Sequence, residues 1–140
     1  MWSLENLRVW DIEAKKFTLK TISIQEKDTE KKKTIDCKGL LGIPVGMDIH
    51  VHFREPGYPH KEDFTSGAKA ATHGGLSAVL DMPNTLPVTD SVEALIKKRE
   101  LAKKQELVDV FLAAAITDKN LNMIEQMYDL SLIHISEPTR

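Results

Sequence analysis

From Gly46 to Asp129 short apolar runs alternate with longer amphipathic stretches, and this alternation constrains the fold more than any other feature of the chain. Met47–His52 reads as a strand, followed by a loop rich in Pro and Gly over Phe53–His60. Lys61–Thr72 reads as a helix, with Phe64, Ala68 and Ala71 on one stripe and Gly74-Gly75 to stop it. Leu76–Met82 is the second strand, and the turn Pro83-Asn84-Thr85-Leu86-Pro87 follows it. Ser91–Leu107 reads as a second helix, with Asp90 as N-cap and Glu93 three residues on. Its Lys97, Lys98, Arg99, Lys103 and Lys104, interspersed with Glu93 and Glu100, read as a solvated face. Val108–Ile116 is nearly all apolar, as expected of a strand covered on both faces. Thr117–Asp129 reads as a third helix, with Leu121, Ile124 and Tyr128 as its stripe. Strands alternating with helices imply right-handed crossovers and a parallel sheet. The fold class is therefore α/β.

Residues before this region read differently. Phe17–Ile24 alternates apolar with polar and suggests a half-buried strand, and Leu7–Trp10 suggests another. The charge run Gln25–Lys33 reads as a solvated loop. The expected organisation is a small β segment over residues 1–45 and three βα units over 46–129. Nineteen basic and twenty-one acidic residues leave a net charge of −2, too balanced to point to nucleic acid or an anionic membrane surface. No apolar run approaches the ~20 residues of a membrane span, and the N-terminus lacks a signal-peptide pattern. The lone Cys37 allows no internal disulfide and fits a reducing cytoplasm, most simply as a packing residue.

Leu130–Arg140, LSLIHISEPTR, breaks the pattern in mid-helix and resembles an in-frame translation of the transposon-end adapter used in sequencing libraries. The tail 130–140 is expected to be non-native, so His134 is not counted as a metal ligand.

The chemistry-bearing stretch is Asp48-Ile49-His50-Val51-His52-Phe53-Arg54-Glu55-Pro56-Gly57. Strand residues two apart share a face, so Asp48, His50 and His52 are expected to project together, with Ile49, Val51 and Phe53 packed behind them. Two imidazoles so placed can bind one divalent cation, most commonly Zn²⁺, or can be satisfied buried histidines. Arg54 offers a guanidinium fork that suits a carboxylate, or an ion pair with Glu55 or Glu62. Asn84 lies past the next strand, on the same rim; its amide can share that carboxylate or simply form a turn.

GMDIHVHFREPG, KEDFTSGAKAATHGG and LDMPNTLP together resemble the dihydroorotase pattern of the amidohydrolase superfamily over about Ile35–Asp129. The chain departs from that pattern at Pro44-Val45-Gly46. The resemblance implies a metal-dependent cyclic amidohydrolase built on a (β/α)₈ barrel with a small β domain. It interconverts N-carbamoyl-L-aspartate and L-dihydroorotate in de novo pyrimidine biosynthesis. By position, His50 and His52 match the first metal-ligand pair, for one or two Zn²⁺ ions, and Arg54 and Asn84 match the residues that hold the substrate carboxylate. His60, His73 and Asp81 match no ligand position. Asp48 is expected to orient an imidazole, and Asp81 to be a structural acid at a strand end.

The resemblance also implies a general acid/base aspartate on the last barrel strand and further ligands on the middle strands. A closed barrel needs about 250 residues, so this chain of 140 is expected to be an N-terminal fragment, inactive alone, with unpaired sheet edges. The alternatives are a hydantoinase- or allantoinase-like enzyme and a non-catalytic dihydroorotase-like subunit supporting aspartate transcarbamoylase. A small-molecule substrate and a homo-oligomer complete the expected partners.

Overall fold

A computed structural model of the chain describes residues 1–25 and 33–130 and the backbone of 132–134. Most of the charge run Gln25–Lys33 lies outside the described residues, as do the side chain of His134 and the tail around it. Two compact units divide at Pro44/Val45.

The first unit is a four-stranded sheet around β1, Trp2–Asp11. β2, Lys16–Ile24, pairs with it antiparallel, and Trp10 and Phe17 meet edge-on across the hairpin with ring centroids 5.2 Å apart. β3, Lys33–Asp36, and β4, Leu41–Gly42, pair with β1 in parallel. The expected strand at Phe17–Ile24 is present but not half-buried. Phe17, Leu19, Ile22 and Ile24 are all exposed. Cys37 is buried, its Sγ 3.8 Å from the Ile35 carbonyl.

The second unit is a parallel sheet. Its strands β5, Gly46–Val51, β6, Leu76–Asp81, β7, Asp109–Ala115, and β8, Leu132–His134, stand side by side in chain order. Helices α1, Phe64–His73, and α2, Val92–Ala102, fill the first two crossovers. A 3₁₀ turn, Leu121–Met123, leads into the short α3, Ile124–Tyr128. Among the described residues no helix is long and apolar enough to cross a membrane.

The first two helices begin where a side chain can take their first free N–H groups. Asp63 caps α1, accepting from the Ser66 N–H at 2.7 Å, while the Asp63 N–H donates to Ser66 Oγ at 3.1 Å. This reciprocal pair starts α1 at Phe64, three residues later than the sequence suggests. The turn Ala70–Gly75 then ends it, with Gly75 at φ +78, a conformation glycine adopts without steric cost. On α2 the cap is Ser91, not Asp90: Ser91 is extended and its Oγ accepts from Ala94 N–H at 3.1 Å. The same helix stops at Ala102, short of Leu107, because the Gln105 side chain closes the turn into β7. Gln105 Oε1 accepts from the N–H groups of Leu107 and Val108, and its Nε2 donates to the Val108 carbonyl.

The third helix is likewise shorter than expected. Asn120 is buried, accepts from Thr117 N–H at 2.9 Å and donates to the Ala115 carbonyl at 2.8 Å, so the chain turns there before any helix forms. The stripe shifts accordingly: Met127 is buried, while Leu121 and Tyr128 are exposed.

The core lies between sheet and helices. Phe53, Phe64, Ala68, Ala71, Val79, Ala102 and Val108 form one cluster; Leu95, Leu112, Ala114 and Met127 form a second. Phe53 and Phe64 meet edge to face, their centroids 5.7 Å apart. Gly67 of α1 lies against that contact, and a Cβ there would sit 2.2 Å from Phe53 Cε1. The helix bears the roughly 1 kcal/mol propensity cost of a mid-helix glycine, and in return α1 approaches the end of β5 closely. β7 is not covered on both faces as expected, since Phe111 is 45% exposed; Met47 and Ile49 of β5 are exposed too.

Two outcomes follow from this packing. Gly67→Ala should destabilise the chain by about 1–3 kcal/mol through overpacking against Phe53, read as a lower urea midpoint. The backbone and side-chain bonds from Ser66 hold the Asp63 carboxyl below its ordinary value of 3.8. The folded pKa is depressed, so the cap's contribution is present above 3.8 and lost as pH falls through the folded value. The stabilities of the parent chain and Asp63→Ala, measured by denaturant unfolding, should therefore differ at neutral pH and converge in acid.

Candidate metal and carboxylate site

The C-terminal ends of parallel strands collect functional groups because the loops leaving them lie side by side. Here β5 delivers His50, His52 and Arg54 to that edge, and the turn after β6 delivers Asn84. β5 is not a regular strand. Asp48 is in register with Val79 and Val51 with Asp81, so Ile49 and His50 together oppose the single residue Leu80. Such a bulge takes a backbone group out of the ladder. The freed His50 N–H donates to Asp48 Oδ1 at 3.0 Å. Asp48 therefore reaches the backbone of His50. Ile49 is 68% exposed rather than packed behind the histidines, whereas Phe53 is buried as expected.

The two imidazoles converge. His50 Nε2 and His52 Nε2 are 3.2 Å apart, with ring planes inclined at 70°. On its other side, His52 Nδ1 is 2.8 Å from Asn84 Oδ1. An amide oxygen only accepts, so Nδ1 of His52 carries the hydrogen and Nε2 presents its lone pair toward His50. Two nitrogens each about 2.0–2.1 Å from a tetrahedral ion stand about 3.3 Å apart. The observed spacing fits the His50–His52 pair as one edge of such a coordination shell, and the Asn84 bond fixes the tautomer that edge requires. Among the described residues no group of three or more His, Cys, Asp or Glu side chains is placed to hold a metal ion.

Arg54 opens the loop after β5, with its N–H donating to the Glu62 carbonyl and its carbonyl accepting from Tyr58 N–H. Neither ion pair open to it in the sequence forms. Glu55 Oε2 instead accepts from Phe64 N–H at the start of α1, at 3.2 Å. Among the described residues the Arg54 guanidinium has no partner, and no contact joins it to Asn84. His60 stands apart beside Tyr58, and His73 lies in the last turn of α1.

The two rim loops interlock. Leu86 N–H donates to the Pro56 carbonyl at 3.1 Å. Gly57, at φ +102, lies against Leu86 so closely that a Cβ would come within 2.5 Å of the Leu86 carbonyl oxygen. Asp81 is the structural acid expected, completely buried, but its partner corrects the sequence reading. Lys98 is not on a solvated face: it too is completely buried, its Nζ 2.8 Å from Asp81 Oδ2 and 2.7 Å from the Met82 carbonyl. Burial pushes the Asp81 pKa up and the Lys98 pKa down, and in each case the partner's charge opposes the shift. The signal in the sequence is spacing: Leu95, Lys98 and Ala102, at i, i+3 and i+7, form the buried stripe of α2.

Asn84→Ala removes the acceptor for His52 Nδ1–H. The His52 ring, expected to be predominantly Nδ1-protonated in the parent, should then exchange between tautomers, which two-bond ¹H–¹⁵N spectra of parent and variant would check.

A sequence model of the family described as "Dihydro-orotase-like" matches residues 39–132. The Dihydroorotase of Methanosarcina mazei is 40% identical over 103 residues, 74% of this chain and 22% of that protein. The Dihydroorotase of Streptococcus pneumoniae serotype 4 is 46% identical over 104 residues, 74% of this chain and 24% of that protein. The chain thus spans less than a quarter of the length of these relatives. Among solved structures, the L-hydantoinase (dihydropyrimidinase) from Arthrobacter aurescens superposes with a TM-score of 0.78 at 24% identity, covering 98% of this chain and 34% of that one. A D-hydantoinase from a Bacillus species superposes with a TM-score of 0.70 at 22% identity, covering 92% of this chain and 30% of that one. At these identities the likeness speaks to the fold alone.

Proposed function

The chain belongs to the dihydroorotase-like family, and from that premise we propose that it supplies the N-terminal share of a dihydroorotase active site. In this reading β5, β6 and β7 with their helices are the first three βα units of a (β/α)₈ barrel, and β1–β4 are part of its small β domain. The extent of the superposition on the Arthrobacter aurescens hydantoinase, 98% of this chain within 34% of that one, supports that placement. The observation that carries the function is the convergence of His50 and His52 at 3.2 Å with the His52 tautomer fixed by Asn84.

His50 and His52 are the residues that would hold a divalent cation such as Zn²⁺. When bound, the ion supplies Lewis acidity that polarises the cyclic amide and makes water nucleophilic near neutral pH. The Arg54 guanidinium takes the substrate carboxylate, a charge-assisted contact that its lack of a partner among the described residues leaves available. The Asn84 Oδ1 is committed to His52, so its Nδ2 is the group that shares this carboxylate. One side chain then links metal ligand and substrate. The general acid/base and the remaining ligands come from other parts of the barrel, so the chain alone is inactive. The substrate pair is N-carbamoyl-L-aspartate and L-dihydroorotate.

A hydantoinase-like activity is the second reading, since the fold is shared with two hydantoinases. Arg54 separates the two, because hydantoin offers it no carboxylate. The test has two arms. The chain itself should bind Zn²⁺ in competition with a chromophoric chelator, and His50→Ala or His52→Ala should weaken that binding at least tenfold. Substituted for the matching segment of the Methanosarcina mazei enzyme, the chain should give a chimaera that acts on L-dihydroorotate. Arg54→Ala in the chimaera should lower kcat/KM about 100-fold or more, roughly the 3 kcal/mol of a lost charge-assisted contact. A chimaera that prefers hydantoin, or is indifferent to Arg54, overturns the dihydroorotase reading.

A further inference from the structure

Behind the site, the Asp81–Lys98 pair is linked to both of the segments that carry it. Asp81 Oδ1 accepts from Phe53 N–H at 2.7 Å, which fixes the peptide joining His52 to Phe53. Lys98 Nζ donates to the Met82 carbonyl at 2.7 Å, two residues before Asn84. In front, His52 and Asn84 close on each other at 2.8 Å. A ring results: His52, Phe53 N–H, Asp81, Lys98, the Met82 carbonyl, Pro83, Asn84 and back to the His52 imidazole. Every bond in it except the His52–Asn84 contact is made by buried partners.

A lysine is an unusual choice for this stripe. Leu95 and Ala102, its neighbours on α2, are buried apolar residues, and an apolar residue at 98 would pack without the cost of desolvating a charge. What an apolar residue cannot do is donate to the Met82 carbonyl while neutralising Asp81. We propose that Lys98 is a positioning residue: through Asp81 and the Met82 carbonyl it sets the relative placement of His52 and Asn84, and so the direction in which His52 Nε2 points. The inference rests on the metal reading above for its consequence, but the placement it describes exists without metal.

Two variants of the full chain test it. Lys98→Met leaves a buried carboxylate unpaired and is the one at risk of unfolding. The double variant Asp81→Asn/Lys98→Met removes both charges, keeps an oxygen to accept from Phe53 N–H, keeps the volume at 98, and deletes the Lys98 links to residue 81 and to the Met82 carbonyl. In the metal-free double variant, cooperative thermal unfolding should persist, while the two-bond ¹H–¹⁵N spectrum of His52 changes from a fixed Nδ1–H form to exchanging tautomers. Its Zn²⁺ affinity should fall at least tenfold below the parent. A double variant that folds and retains both the His52 spectrum and the affinity overturns the proposal, since the pair would then serve stability only. Failure of both variants to fold overturns it too, by making the pair a requirement of the whole unit. If the parent chain binds no Zn²⁺ at His50 and His52, the metal reading fails, and the His52 spectra still decide the positioning role.

Discussion

The second unit is organised by the parallel pairing of β6 with a strand on either side. β6 sets the register of β5 through Asp48 opposite Val79 and Val51 opposite Asp81, and of β7 through Val79 opposite Val110. Parallel pairing in chain order brings the three outgoing loops to one edge, which is why residues 32 positions apart, His52 and Asn84, share a hydrogen bond. Without that pairing the histidine pair would be two side chains on a strand, with nothing to choose between their tautomers.

The edge is knitted from strand to strand. The loops after β5 and β6 share the Leu86–Pro56 bond and the Gly57–Leu86 contact. The loops after β6 and β7 share Asn120, which donates to the Asp90 carbonyl at 2.7 Å, and the Ala115 N–H, which donates to the Thr89 carbonyl at 2.9 Å. Thr85 and Thr89, both buried, join their hydroxyls at 3.1 Å and hold the Pro-rich turn between them. Irregular backbone carries polar groups that must be satisfied wherever they are buried. Side chains with both donors and acceptors do that here, and the same bonds restrict how far the site residues can move.

Much of this was legible in the residues. Periodicity located the three strands and the first two helices, with the end of α2 five residues too late and the third helix seven residues too long at its start, because each strand or helix buries a single stripe or run. The HxH spacing, Arg54 and Asn84 marked the candidate site, and strand alternation pointed to a shared face for the histidines. Three of the features periodicity missed share one physical origin: polar side chains that satisfy backbone. Asp48 takes the N–H freed by a bulge, which alternation cannot show. Asn120 turns the chain where a helix was expected. Lys98 looked like one of five cations on a solvated face, because charge type dominates a sequence reading and its place on the Leu95–Ala102 stripe does not.

Lys98 also shows why a buried ion pair can persist where an apolar pair would be as stable. Desolvating two charges costs several kcal/mol per ion, and their attraction repays this only with good geometry, so stability alone is a weak reason for the arrangement. An apolar contact is tolerant of sliding, because dispersion and burial change little over a few tenths of an ångström. A charge-assisted hydrogen bond at 2.7 Å, aimed at one carbonyl, is not. The Met82 carbonyl lies two residues from the asparagine that must meet His52, and the Phe53 N–H lies one peptide from His52 itself. Directional bonds are therefore placed where displacement would most disturb the imidazole pair. The apolar clusters, with Gly67 admitting Phe53 against α1, supply the burial that makes those bonds strong.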